Sequence, residues 1–103
     1  MKKILFTLLT SFLLCSCGGN KATQQICRFI EEATEKTEEA TSLKEIEKIN
    51  EKLTQNIAIY SLSLTEEEYN EWANDPDSNK KIEQAQFKYK SARNTREKFL
   101  KGQ

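Results

Sequence analysis

The residues after position 16 predict an all-α fold: a small antiparallel three-helix bundle with one short extra helix. Three observations carry this. Apolar residues recur three and four apart through nearly the whole segment. Strand patterning is nearly absent, since there is no Val and only Ile57 to Leu64 alternates with period two. Capping signals stand where one apolar stripe stops and the next begins. With 103 residues the chain has room for one small domain. About a third of the residues after position 16 are apolar, and a chain this short buries only roughly 60–65% of its surface, so the core is modest.

The first helix is predicted over roughly residues 22–40, with Ile26, Phe29, Ile30, Ala33, Thr37 and Ala40 on one stripe. Ser42-Leu43-Lys44-Glu45 has the spacing of a capping box, so a second helix starts after Ser42. Its stripe is Ile46, Ile49, Leu53, Ile57, Tyr60 and Leu64. Thr41-Ser42 leaves almost no loop, which favours a helical hairpin over one bent helix. Ile57 to Leu64 also fits a strand, but a strand without a partner. Thr65 and Glu68 form a second box, with Leu64 placed to staple onto Tyr69, and open a short helix carrying Tyr69, Trp72 and Ala73. Asn74-Asp75-Pro76 ends it, and Asp75 caps a last helix with Pro76 at its first position. That helix runs to about Leu100 on Ile82, Ala85, Tyr89, Ala92, Arg96 and Phe99, and Gly102 stops it.

The first 16 residues are different. Lys2-Lys3 precede an apolar run of 11 residues, Ile4 to Leu14. A spanning helix needs about 20 apolar residues, so the run has the length and flanks of a secretory signal peptide. Leu14-Cys15-Ser16-Cys17 follows. This resembles the lipobox of bacterial lipoproteins, in which a Leu, a variable residue and a small residue precede the Cys. The resemblance covers residues 1 to about 20. It implies cleavage between Ser16 and Cys17, a diacylglyceryl group on the Cys17 sulfur and an N-acyl group on its new amine, with no other cofactor. Cys15 has the large Leu14 before it, whereas Cys17 has Ser16 before it and Gly18-Gly19 after it, so the resemblance implies that the lipid is carried by Cys17. A thiolate is the nucleophile such alkylation needs, and two or three acyl chains, at about 0.8 kcal/mol per buried CH₂, make release negligible. The chain then divides into a signal peptide over 1–16, a lipidated tether over 17–22 and a helical domain over 23–103.

Charge and composition exclude several functions. Sixteen basic residues balance 16 acidic ones, whereas nucleic-acid binders carry a basic excess. There is no His, hence no Ser/His/Asp or Cys/His set, and no glycine-rich phosphate loop. Residues 17–75 carry six basic and 13 acidic residues, and residues 76–103 eight basic and three acidic. Pairing of a basic last helix with acidic neighbours explains this. A basic face of Lys88, Arg93, Lys98 and Lys101 toward anionic lipid or polysaccharide is the functional alternative.

Three further motifs bear on chemistry. Asp75-Pro76-Asp77-Ser78-Asn79 resembles the first half of a calcium loop, but Lys80 stands where the turn needs Gly and Gln86 where it needs a bidentate Glu, so helix capping is the better account. Glu66, Glu67, Glu68 and Glu71 occupy a first helical turn, where the dipole favours negative charge without any catalysis. Cys27 is read as buried and inert, with an intermolecular disulfide as the alternative.

The expected function is that of a small non-enzymatic lipoprotein at the bacterial cell envelope. It is expected to be held by its lipid on the outer membrane, and the lack of an acidic run after Cys17 points to the periplasmic side. Ile59, Leu62 and Phe87 leave the main stripes. Either Tyr69 and Trp72 cover them, or all five form a surface for an envelope protein partner. No nucleic acid and no small-molecule substrate is expected. The alternative is a structural tether resembling the murein lipoprotein in size, anchor and helicity. That protein is one uninterrupted heptad helix ending in the Lys that joins the cell wall. Here Asp75-Pro76 interrupts the helix and Gly102-Gln103 follow Lys101.

Overall fold

The computed structural model describes residues 20–102. The signal segment, Ser16, Cys17 and Gly18-Gly19 lie outside the described residues. Among the described residues the secondary structure is entirely helical, in four helices forming a bundle: α1 Lys21–Glu38, α2 Leu43–Ser63, α3 Glu66–Ala73 and α4 Pro76–Lys101. It measures 48 × 25 × 20 Å.

The caps explain the boundaries. Asn20 caps α1 by accepting from the Thr23 amide at 2.9 Å, so the helix starts at Lys21, inside the stretch read as tether. At its other end the Glu39 and Ala40 amides bond back three residues, to Lys36 and Thr37. This tighter last turn ends α1 at Glu38 and leaves Ala40, expected as helical, fully buried in the connection. Ser42 caps α2 by accepting from the Glu45 amide at 3.1 Å. Glu45 does not close the expected box on Ser42. Its Oε2 accepts from the amide and hydroxyl of Thr41, one residue earlier. Thr65 and Glu68 do form the full reciprocal box. Asp75 caps α4 through the Asp77 amide, with Pro76 in the first turn. Gly102 caps α4 at φ −75°, a conformation open to any residue. The Ile57 to Leu64 alternation is helical up to Ser63, so the strand alternative is set aside.

Helix α1 organises the core. It packs most extensively against α4 and then α2, while α3 touches α1 and α4, and α2 touches α4, at only a few positions each. Ile26, Cys27, Ile30 and Ala33 cluster with Leu53 of α2 and with Ala85 and Tyr89 of α4. Phe29, Ile49, Ile57, Tyr60, Trp72 and Ile82 surround them half-buried. Small side chains meet between α1 and α4: Thr23 bonds Ser78, and Cys27 shares the core cluster with Ala85. Interaxial distance depends on the side chains at the contact, so this composition permits close approach. The Tyr89 hydroxyl donates to Asn50 Oδ1 at 2.9 Å, a polar link between α4 and the half-buried flank of α2.

One end of the last stripe departs from expectation. Phe99 is 52% exposed rather than in the core. Arg96 takes the inner position: its Nε donates to the Ala40 carbonyl at 2.8 Å, and its guanidinium lies 4.7 Å from the Phe99 ring centre. The unpaired carbonyl past the end of α1 draws the cation inward, and Phe99 covers it from outside.

Candidate functional site

The end of the bundle where α1 begins is built by two N-caps. Asn20 and Asp75 each precede a helix whose third residue is a small hydroxyl, Thr23 or Ser78. Both hydroxyls are buried and bond to each other across the α1–α4 seam. Asn20 Nδ2 donates to Ser78 Oγ at 3.2 Å, and Ser78 Oγ donates to Asp75 Oδ2 at 3.0 Å. The two helix starts are thereby clasped, and every oxygen of the cluster is engaged. Sequence reading took Asp75 as a cap and missed Asn20, Thr23 and Ser78. The signal was present as a repeated spacing, Asn-x-x-Thr and Asp-x-x-Ser. The same contacts account for the calcium-like stretch, since both Asp75 oxygens serve the helix start. Among the described residues no three His, Cys, Asp or Glu side chains converge as metal ligands.

Helix α3 lies at this same end, packed on α1 and α4. Its acidic first turn is solvated. Hydrogen bonds from the Thr65 backbone and hydroxyl hold the Glu68 carboxyl below the usual carboxylate range, with Lys21 adding a little. A lowered acid of this kind is a capping group and not a proton donor near neutrality. Cys27 is a buried free thiol. Burial, then the nearby Glu31, push its pKa up against a smaller opposing effect of Lys81, and such a thiol is a poor nucleophile.

The five residues read as a partner surface differ in exposure. Leu62 is 86% exposed, Phe87 72%, Ile59 66% and Tyr69 48%. Trp72 is half-buried against the core and meets Tyr69 edge to face at 5.6 Å. Helix α3 spends its large aromatic on the core and leaves Ile59, Leu62 and Phe87 uncovered. Phe87 faces outward from α4, where it lines an open groove of about 610 Å³ with Phe99, Lys88, Thr95 and Arg96. The four cations considered as a basic face are also divided. Arg93 is half-buried and pairs with Glu97 at 3.4 Å, whereas Lys88 and Lys101 point roughly 140° apart around α4.

Among the described residues no helix is long and apolar enough to cross a membrane. A scan against models of known protein families finds no match, nor does a search of curated proteins or of solved structures.

Proposed function

We propose that the chain is a non-enzymatic lipoprotein of the bacterial envelope, anchored through Cys17 and presenting a small bundle of antiparallel course on the periplasmic side of the outer membrane. One observation carries the reading: Leu14-Cys15-Ser16-Cys17 directly after an 11-residue apolar run behind two lysines. Two pairs of contacts support the antiparallel course. The N-terminal ends of α1 and α4 meet at Thr23 and Ser78, and Phe29 of α1 meets Tyr60, near the far end of α2. The solvated acidic turn, the protonated buried Cys27 and the absence of His from the sequence favour an interaction role over catalysis. The breaks at Leu64-Thr65 and Asn74-Asp75 favour a bundle over the single long helix of a murein-type tether.

Palmitate labelling with mass spectrometry of the mature N-terminus tests this. An acylated peptide beginning at Cys17 is expected, lost in Cys17→Ser and kept in Cys15→Ser and Cys27→Ser. Labelling that survives Cys17→Ser but disappears with Cys15→Ser moves the anchor. No labelling of the wild type removes the membrane reading.

A further inference from the structure

We infer that the open groove between α1 and α4 is covered by a second copy of this chain, in a parallel twofold dimer whose axis runs along the bundle. The groove lies on one face of a parallel helix pair. Thr23 and Ser78 join the starts of α1 and α4, and Arg96 reaches the Ala40 carbonyl at their other end. Helix α2 meets α1 along the flank of Phe29, Ala33 and Lys36, whereas Thr34 and Glu38 line the groove. Every lining residue belongs to α1 or α4, so among the described residues no third helix borders it.

The two walls carry opposite charge. Residues 29–38 of α1 hold four Glu against Lys36, and residues 88–101 of α4 hold six cations against Glu97. Glu38 and Lys88, both exposed, line the groove itself. Lys98 follows Phe87 by 11 residues, about three turns, and so stands on the same side of α4. A partner of one sign meets a like-signed wall. The occupant that fits presents the two signs in reverse order. A second copy of the same face, turned by half a revolution about the bundle axis, does this: its α1 lies over α4 and its α4 over α1. A half-turn about an axis across the helices instead stacks basic α4 on basic α4, which repel.

The same rotation gives Phe87 a place. Its ring is 72% exposed at the edge of the groove. The pairs Thr23–Ser78 and Ala40–Arg96 are 55 and 56 positions apart, so Phe87 is level with residue 31 or 32 of α1. In the dimer it comes over the second copy's α1 within a turn of Thr34. The rotation also leaves both N-termini at one end. Two copies anchored through Cys17 then share one membrane, and that confinement raises their effective concentration. Only this membrane support rests on Cys17 being the anchor.

The test is crosslinking of the full mature protein, reconstituted in phosphatidylcholine vesicles, with a short bismaleimide. Cys27 is buried and stays out of the reaction. Thr95→Cys and Gln84→Cys should each give a dimer linked through the same position of both copies. On the Thr95→Cys background, Glu38→Lys should lower the linked fraction about tenfold at low salt, and so should Lys88→Glu/Lys98→Glu. Mixing these two variants should restore it, because each wall then meets its opposite. Phe87→Ser should lower it as well, and Ile59→Ser should leave it unchanged. No link at Thr95→Cys, or a link indifferent to the charge variants, overturns the dimer. A link at Thr95→Cys without one at Gln84→Cys overturns the parallel course. Protein that fails to float with the vesicles overturns the anchor alone, and the same crosslinking in solution then decides the dimer.

Discussion

Helices α1 and α2 start from comparable stripes and end very differently. Each follows a six-position stripe in the sequence, yet α1 buries seven of its 18 residues and α2 only Ile46 and Leu53 of 21. The difference is one of position. Helix α1 has α4 on one flank and α2 on the other, so both edges of its stripe are covered, and even Thr23 and Thr37 are buried. Helix α2 leans on α1 with one flank, and Ile49, Ile57 and Tyr60 are left half-buried. A periodic stripe states which side of a helix faces inward. It does not state how many neighbours will cover it.

The comparison can be broken most directly at the core. Ile30→Ala on α1, where the side chain is 1% exposed, should cost about 2–5 kcal/mol. A domain of this size has on the order of 0.05–0.15 kcal/mol per residue to lose, so the variant should lie near the edge of folding. Ile57→Ala on α2 should cost less than half as much in urea denaturation. Equal losses would mean that α1 is not the central helix.

The clasp comes next. Ser78→Ala leaves Asn20 and Thr23 without their shared acceptor and should cost about 1–3 kcal/mol. The double variant Thr23→Val/Ser78→Ala should cost clearly less than the two single losses added, because the residues share one network. Strict additivity would show that they do not act as a unit.

The caps of the less buried half are smaller effects. Thr65→Ala should destabilise by about 0.5–2 kcal/mol, and Ser42→Ala toward the lower end of that range, since only Thr65 closes a reciprocal box. The carboxyl of Glu68 is held below its ordinary value in the folded chain. Its contribution is therefore present above the unfolded pKa of about 4.3 and is lost as pH falls through the lower folded pKa. The stability gap between wild type and Glu68→Gln should narrow over that acidic window in thermal melts. A gap that stays constant down to acid pH would remove the carboxylate from the cap.

Smallest of all should be the exposed apolar positions. Leu62→Ser and Phe87→Ser should each change stability by no more than about 0.5 kcal/mol. A large loss at either would mean that the side chain is covered, and would move the outer flank of α2 or α4 into the core.

Much of this architecture was legible because helix starts are local events. Ser42, Thr65 and Asp75 bond to amides two or three residues away, so each cap is written within a few positions of sequence. The stripes were legible for the same reason, since 3.6-residue periodicity needs no knowledge of the partner. Leucine at position 14, serine at 16 and cysteine at 17 likewise carry the anchor expectation without any fold.

What only the tertiary structure decided is everything that depends on residues far apart in the chain. Thr23 and Ser78 are separated by 55 positions and pair because α1 and α4 lie side by side. Arg96 displaces Phe99 from the core because the Ala40 carbonyl, 56 positions away, needs a donor. Trp72 is drawn inward while Ile59, Leu62 and Phe87 stay outside, because an eight-residue α3 has one large side chain to give to the core and no length to cover a second flank. Local hydrogen bonds and period fix where helices begin and which side is apolar, and only packing against particular neighbours fixes which apolar side chains are left to meet something else.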